Sequence, residues 1–265
     1  MNITFHRASR RRKSSATLAA IGFAMAAFTV VAPPPAQAFD VSQKTEIEGI
    51  IREYLLANPE IMLEVQSALE KKQDEQKKLS QARTLSEMKN ELYSSEHQVE
   101  IGDPNAPVTV VEFYDYNCGF CQRALGDMNK FVEQDKSVRF ILKEFPVLGE
   151  ASLQAHKISQ AFNRLMPEKA AEFHQLLLGS PGRKDGDVAL KVAESLGADI
   201  AAVKAESEKP EILEGLKEAY RLADGLGITG TPSYVVGDEV VFGAVGFDAL
   251  NVKVANLKSC GKTIC

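Results

Sequence analysis

Two hydrophobic periodicities divide the chain. Between residues 40 and 97, apolar residues recur at helical spacing and β-type runs are almost absent. After Ile101 the pattern changes to short β-branched and aromatic runs that are separated by turn sequences. A helical segment at 39–97 is therefore predicted, followed by an α/β domain at 98–265.

The N-terminal segment is predicted to contain amphipathic helices. Asn58 is suited to cap the second of them, with Pro59 at its first position. The polar run from Lys71 to Lys78 predicts a solvated connector. Short helices cannot bury so apolar a stripe alone, so we expect self-association through residues 40–97; a cap folded back onto the following domain is the alternative. The first stripe consists of Ile47, Ile50, Ile51, Tyr54 and Leu55.

The α/β part opens with a strand, a helix and a second strand, which is the start of a parallel unit. A long helical stretch follows at about 151–224 and is broken by glycines and prolines. The sheet is thus predicted to be interrupted by an all-helical insertion. The other predicted elements are strand 108–114, helix 122–134, strand 137–145, strands 233–236 and 239–242, and helix 247–257.

The amino terminus has the three parts of a secretory signal peptide. A basic cluster ending at Lys13 precedes an apolar run from Leu18 to Ala32, and Ala36-Gln37-Ala38 completes the pattern. Residues 1–38 are therefore predicted to be a signal peptide that is cleaved after Ala38, which predicts a periplasmic protein. The apolar run is short for a membrane span, and an uncleaved anchor is the alternative.

Charge and cysteine content narrow the function. Without residues 1–38, the chain has 26 Lys and Arg against 36 Asp and Glu, a net charge of −10. Nucleic-acid-binding proteins need a basic footprint, so no nucleic acid is expected as a partner; no cofactor is expected either. The chain is long enough to form a core without disulfide bonds, so its four cysteines are predicted to have chemical roles.

The central candidate is the pair Cys118 and Cys121, which encloses Gly119 and Phe120. Such a pair occurs in redox centres and in half of a zinc site. Its position between a strand and a helix favours redox chemistry, because the unpaired N–H groups and dipole of a helix start stabilise a thiolate. Cys118 is predicted to attack a client disulfide and Cys121 to release the mixed disulfide; an inert disulfide is the alternative.

A second candidate lies at Gly230-Thr231-Pro232, directly before a predicted strand. Proline in such a tight loop suits a cis peptide bond and leaves neighbouring backbone free to pair with an extended client. Thr231 and Pro232 are therefore predicted to bind clients together with Gly119 and Phe120. An ordinary proline at the start of a strand is the alternative.

The chain ends with a second cysteine pair, Cys260 and Cys265. A structural disulfide that closes this small loop is expected in an exported protein. A labile redox pair that passes electrons to Cys118 is the alternative. No metal site is predicted, because the histidines after residue 38 are scattered along the chain. They are His97, His156 and His174, and the last two are predicted to be packing or surface residues.

Three segments resemble the DsbA family of periplasmic thioredoxin-like proteins. They are Val110–Asn117 leading into the cysteine pair, Lys143–Gly149, and Gly230-Thr231-Pro232, within a match that covers about residues 100–258. The helices around Asn58-Pro59-Glu60 resemble the oligomerisation segment of ScsC-like members. The resemblance implies a thioredoxin-like fold with an all-helical insertion, preceded by an α-helical N-terminal segment, with Pro232 cis and facing the cysteines.

The resemblance also gives a role to two charged residues. Glu112 stands where the family places a buried acid, and Lys143 stands where it often places the partner lysine. Burial raises the pKa of a carboxyl group, so Glu112 is suited to accept the proton of Cys121. A structural ion pair without catalytic duty is the alternative.

The sequence departs from the strongly oxidising members in two places. They carry Pro-His between the cysteines, whereas Gly119-Phe120 is nearer the Gly-Tyr of disulfide isomerases; Thr231 also resembles the isomerases. Loss of a histidine beside the thiolate removes a group that stabilises the reduced form, so the pair should be less oxidising. Isomerase or reductase activity is thus favoured over oxidation alone.

Three functions stay open. The first is an isomerase or a DsbA-type oxidase that exchanges disulfides with cysteine-containing exported proteins and with a membrane redox partner. The second is a redox-linked copper-handling protein, since ScsC-like relatives are associated with copper tolerance. The third is a non-catalytic binding or scaffold protein that retains the fold.

Overall fold

The computed structural model describes residues 39–265. The predicted signal peptide and its cleavage point after Ala38 lie outside the described residues. Contacts divide the chain into two compact units between Pro59 and Glu60. The first unit contributes one described helix, α1 (Val41–Ala57), which starts with a capping box: Asp40 Oδ1 accepts from Gln43 N at 2.8 Å, and Gln43 Oε1 accepts from Asp40 N at 3.0 Å.

The apolar stripe of α1 is exposed along the helix. No residue of the helix is buried, and Ile50, Ile51 and Tyr54 are each more than half exposed. An exposed stripe of this kind is typical of an interface between chains.

The second unit, Glu60–Cys265, consists of a sheet surrounded by helices. None of the helices within residues 39–265 is long and apolar enough to cross a membrane. The helices are α2 (Ile61–Glu87), α3 (Lys89–Tyr93), α4 (Gly119–Gln134), α5 (Glu150–Leu165), α6 (Ala170–Gly179), α7 (Gly186–Ser195), α8 (Ile200–Ser207), α9 (Pro210–Leu226) and α10 (Phe247–Cys260), with a short 3₁₀ helix at Pro167–Lys169. The strands are β1 (Val99–Gly102), β2 (Val108–Tyr114), β3 (Val138–Glu144), β4 (Ser233–Val236) and β5 (Glu239–Phe242).

The strands form one mixed sheet in the order β1-β3-β2-β4-β5. Strands β2 and β3 are parallel, whereas β1, β4 and β5 each run antiparallel to their neighbours. Helices α5 to α9 lie between β3 and β4 in the chain. This arrangement confirms the predicted α/β class: a thioredoxin-like sheet with an all-helical insertion, preceded by helices.

Side chains of β2 and β3 alternate between two hydrophobic clusters, as the period of a strand requires. Val110 and Tyr114 face the cluster that holds Cys121 of α4. Val111 and Phe113 face the opposite cluster, with residues of α3 and α9. The alternation decides which functional side chains can meet.

Strand β1 is absent from the predicted elements. It is four residues long, directly precedes the turn at Asp103 and pairs with β3; Val99 and Ile101 are buried, whereas Glu100 and Gly102 are exposed. So short a strand has no clear signal of its own, because its stability comes from the partner strand.

The second half of α2 packs against the end of α9. Gln81 Nε2 donates to Leu226 O at 2.9 Å, and Thr84 Oγ1 donates to Gly225 O at 2.8 Å. A Cβ on Gly225 would lie 2.8 Å from Thr84 Cγ2, so only glycine allows this approach. Helix α2 therefore belongs to the second compact unit, and the run 71–78 within it is exposed throughout, as a solvated connector requires.

Candidate active site

Cys118 is the N-cap of α4. Its backbone is extended, with φ −82° and ψ 112°, and the N–H of Cys121 points at its sulfur with N···Sγ 3.4 Å. Helix α4 starts at Gly119, three residues before the predicted start. The earlier start places Cys118 directly on the free N–H groups of the first turn.

The proline loop meets this helix start. The peptide bond between Thr231 and Pro232 is cis, and the Thr231 carbonyl lies 3.2 Å from Cys118 Sγ. The fold therefore brings together two predicted features that are 113 residues apart. Phe120, two residues after Cys118 in the first turn of α4, is 57% exposed and presents an apolar ring to solvent.

The two cysteines have opposite electrostatic environments. A hydrogen bond from Cys121 lowers the pKa of Cys118 to about 5 against opposition from burial, helped by Thr231 and by the N–H groups of Cys121 and Phe120. Burial raises the pKa of Cys121, and its hydrogen bond to Cys118 and the nearby charge of Glu112 raise it further. Cys118 is therefore a thiolate and Cys121 a thiol near neutral pH.

Glu112 lies on the same face of the sheet as the cysteines. It is 3% exposed and stands opposite Tyr234 of β4 in the sheet register. Burial raises the pKa of its carboxyl group to about 8, and the negative charges of Cys118 and Asp127 add to the rise. A group with this pKa can accept or release a proton near neutral pH.

The predicted pairing of Glu112 with Lys143 is wrong. The parallel register sets Glu112 beside Leu142 and Lys143 beside Phe113, so the two charged side chains point to opposite faces. On its own face the Lys143 ammonium pairs with Glu218 Oε1 at 3.2 Å. It also donates to Gln98 Oε1 at 3.0 Å and to the carbonyl of Glu91. Lys143 therefore does not contact Glu112 and is not linked to the cysteines by it.

Asp115 ties the active-site turn to the loop after β3. Its Oδ2 accepts from the N–H groups of Val147 and Leu148 at 2.8 and 3.0 Å. Its Oδ1 accepts from Asn117 N at 2.8 Å and from Ser152 Oγ at 2.7 Å. The sequence suggested only an ordinary turn, because most of these donors come from distant positions.

A buried polar network supports the turn from below. His156 Nε2 accepts from the Tyr116 N–H at 3.3 Å, so its proton is on Nδ1, which donates to Glu144 Oε2 at 2.8 Å. Ser159 Oγ donates to Glu144 Oε1 at 2.7 Å and lies 2.8 Å from Tyr116 OH. Sequence reasoning missed Glu144; the usable signal was the pair Tyr114, at the end of β2, and Tyr116, in the turn that leads to Cys118.

The second cysteine pair forms a disulfide. Cys260 and Cys265 are bonded, with 6.3 Å between their Cα atoms, and both are exposed. Cys260 is the last residue of α10, and Cys265 lies five residues later. In the part of the chain that the structure describes, no three His, Cys, Asp or Glu side chains converge as a metal site would require.

A thiolate at a helix start that faces a cis-proline, on a mixed sheet with a buried acid beneath, is the arrangement of a thioredoxin-like domain whose cysteine pair is suited to thiol–disulfide exchange. Residues 109–255 match the model of the DSBA-like thioredoxin domain. This match covers more than half of the chain, and the chain belongs to that family. Residues 43–76 match the N-terminal domain of the copper resistance protein ScsC, which confirms the ScsC-like resemblance.

Solved structures agree with both assignments. A thioredoxin-like oxidoreductase from Silicibacter pomeroyi is 34% identical, with a TM-score of 0.61, and the match covers 64% of this chain and 98% of that one. A linker-deletion mutant of ScsC from Proteus mirabilis is 27% identical, with a TM-score of 0.64. That match covers 84% of this chain and 99% of the other, so it extends into the N-terminal helices.

Among curated proteins, Na⁺/H⁺ antiporter NhaA 3 from Salinispora tropica is 26% identical over 154 residues. The match covers 58% of this chain but only 24% of that relative. The chain thus spans about a quarter of the length of the first curated relatives that it matches.

Proposed function

We propose that this oxidoreductase isomerises disulfides in exported client proteins. The observation that carries the proposal is the position of Cys118, whose Sγ lies 3.2 Å from the Thr231 carbonyl oxygen of the cis-proline loop, with the exposed Phe120 two residues further along α4. A nucleophile held beside this loop is suited to attack a cysteine within an extended client segment.

The first step is attack on a client disulfide. Cys118 Sγ forms a bond to one client sulfur, and the other client sulfur leaves as a thiolate with the bonding electron pair. That thiolate attacks another disulfide in the client, and a client thiolate finally displaces Cys118. A thiolate with a low pKa is a good leaving group, so Cys118 is released readily. The client is isomerised without net oxidation.

Cys121 provides the escape from a stalled mixed disulfide. In that state Cys118 has no charge, so one cause of the raised pKa of Glu112 is removed and the carboxylate becomes available as a base. Glu112 accepts the Cys121 proton, Cys121 attacks Cys118, and the reduced client leaves. When the pair is reduced again, the returning Cys118 charge favours a protonated Glu112.

The thiolate supports isomerisation over strong oxidation. The pKa of Cys118, about 5, lies between the values of about 7 in thioredoxin and about 3.5 in the oxidant DsbA. A less stabilised thiolate makes a weaker oxidant, as Gly119-Phe120 also indicates. We expect a reduction potential between about −270 and −120 mV, the values for those two proteins.

Assembly through residues 40–97 completes the proposal. The α1 stripe is exposed, and so are Met62, Leu63 and Val65 on the first turns of α2. Burial of these faces between copies would remove apolar surface from water. Several active sites on one particle could then engage different cysteines of the same client.

The proposal includes export to the periplasm. Its support is the basic head, apolar run and Ala36-Gln37-Ala38 of residues 1–38. Clients would be exported proteins with cysteines, and a membrane redox partner would keep the Cys118–Cys121 pair reduced. The domain boundaries at 38 and 97 belong to this proposal.

One preparation tests the isomerase claim through two activities, refolding of scrambled ribonuclease and oxidation of a dithiol peptide. The variant I47E/I51E places charges on the α1 stripe, and E48Q/E53Q is the matched control on the same helix. We expect I47E/I51E to lower the particle mass and the refolding rate while it retains dithiol oxidation. Full refolding activity at reduced mass, or unchanged mass, would refute the role of assembly.

Copper handling is a second candidate, favoured by the match of residues 43–76 to the ScsC N-terminal domain. Thiolates are soft ligands that select Cu(I), and Cys118 and Cys121 would supply two. Cu(I) titration of the wild-type protein and of C118S/C121S tests it. High affinity that the double variant loses, without activity on scrambled ribonuclease, would favour copper handling.

A further inference from the structure

The surface beside Cys118 carries positive charge in a chain that is otherwise acidic. Arg123 is exposed on α4, with its guanidinium carbon 4.2 Å from the centre of the Phe120 ring. This cation–π contact holds the charge of Arg123 next to the residue between the two cysteines.

A second exposed arginine, Arg183, belongs to the loop between α6 and α7, and this loop is bonded to residues on both sides of the cysteine pair. The side chain of Asn117 forms two hydrogen bonds with the backbone of this loop. Its Oδ1 accepts from Lys184 N at 2.8 Å, and its Nδ2 donates to Lys184 O at 2.7 Å. Gln122 Nε2 donates to Ser180 O at 3.3 Å. These anchors come from both sides of the cysteine pair, and the exposed Arg183 lies between them in the loop.

Carboxylates do not neutralise these two arginines. Among the ion pairs within residues 39–265, none includes Arg123 or Arg183. The nearby Asp185 caps α7 and accepts from Val188 N at 3.0 Å. Asp127 follows one turn after Arg123 on α4 and forms none of these ion pairs either.

The net negative charge of the rest of the chain does not cancel the positive charge of Arg123 and Arg183. At physiological salt, charges separated by more than about 8 Å are largely screened. A client residue within two positions of the reacting cysteine lies within about 7 Å of it in an extended segment. Such a residue therefore interacts with the adjacent arginines much more than with distant carboxylates.

We propose that Arg123 and Arg183, the basic rim, select client cysteines that have Asp or Glu within two residues. The inference rests on the proposed exchange activity and adds a substrate class to it. Guanidinium groups bind carboxylates through paired hydrogen bonds, so the rim recognises acidic segments by geometry as well as by charge.

The test uses disulfide-bridged peptides that differ only in the residues beside the cysteine, with Glu, Gln or Lys at those positions. The rate at which the reduced protein attacks each peptide is measured by stopped flow. Each rate is divided by the rate of the same peptide with dithiothreitol, which removes the effect of the flanking charge on the disulfide itself. At about 0.1 M salt we expect the Glu peptide to exceed the Gln peptide by about three- to tenfold, and the Lys peptide to be slowest.

The variant R123Q/R183Q is expected to reduce the Glu-to-Gln ratio to about one, and about 1 M NaCl should do the same in the wild-type protein. The matched control K191Q/K204Q removes two exposed charges from α7 and α8 and should keep the wild-type ratio. Equal normalised rates for both peptides, or a ratio that survives in R123Q/R183Q, would overturn the basic rim. If instead the proposed exchange activity is wrong, the Gln peptide would not react with the wild-type protein, or it would react at the same rate with C118S.

Discussion

At the scale of single residues, two chemically identical side chains, Cys118 and Cys121, differ in reactivity because of where the backbone places them. One is the N-cap and receives N–H groups; the other is fully buried one turn into the helix. The nucleophile and the resolver are thus assigned by position in α4 rather than by sequence context alone.

The lowered pKa of Cys118 predicts a pH profile for alkylation by iodoacetamide. The rate at Cys118 should rise through a midpoint near pH 5 and be flat above about pH 7, because the thiolate is the reacting form. Mass spectrometry of the reduced wild-type protein, which separates alkylation at Cys118 from alkylation at Cys121, isolates this site and keeps the Cys121 hydrogen bond that lowers the pKa. A midpoint near 8.5, the ordinary value for cysteine, would contradict the assignment.

The same pKa links pH to stability of the reduced protein. The pKa of Cys118 is lower in the folded than in the unfolded chain, so the thiolate stabilises the folded state. This stabilisation is complete above the pKa of the unfolded chain's cysteine, about 8.5. The contribution is lost as the pH falls through about 5. Urea unfolding of the reduced protein at about pH 4 and about pH 8 measures it, and C118S should lack this part of the pH dependence.

Glu112 has a predicted effect on resolution but not on attack. E112Q keeps the shape and removes the base, so release of a mixed disulfide by Cys121 should slow by about 10²-fold or more. The first attack by Cys118 should change by much less. Rapid mixing with a model disulfide separates the two phases, and equal slowing of both would refute the role of Glu112 as proton acceptor.

At the scale of elements, α2 is part of the catalytic unit because its side chains cap the end of α9. Those bonds hold Gly225 and Leu226, from which the chain continues through Gly227 to the Thr231-Pro232 loop. Helix α2 therefore contacts the helix that leads into the Thr231-Pro232 loop, which we propose binds clients.

Removal of one of these bonds should have a measurable cost. T84V deletes the donor to Gly225 O and should lower the free energy of unfolding by about 1 kcal/mol in urea titrations. T45V is the matched control, since it removes an exposed bond within α1 and should change stability by less than about 0.5 kcal/mol. An effect of T84V no larger than that of T45V would show that the contact contributes little.

The elements show how far the sequence could lead. Strand β2, the cysteine pair and the proline loop could be predicted because each has a local signal: β-branched residues, a fixed spacing, or glycines before proline. The opposite faces of Glu112 and Lys143 depend on sheet register, which a one-residue difference in position inverts. The donors to Asp115 and Glu144 depend on tertiary contacts across tens of residues, and no local pattern encodes them.

At the scale of the whole molecule, the chain combines a DSBA-like domain with an ScsC-type N-terminal segment. The domain supplies the reactive sulfur of Cys118 and the buried carboxyl group of Glu112. The segment supplies exposed apolar side chains on α1 and on the first turns of α2. The proposed isomerase needs both, because a client with several disulfides must be held while its bonds are exchanged.

The most direct test of the whole account is the capture of a client on the protein. C121S, which lacks the resolving thiol, is mixed with scrambled ribonuclease, quenched with acid and digested, and the mixed disulfides are mapped by mass spectrometry. The account predicts a stable adduct between Cys118 and ribonuclease cysteines, and none with C118S. Absence of that adduct, or an adduct at Cys260 or Cys265 instead, would contradict it.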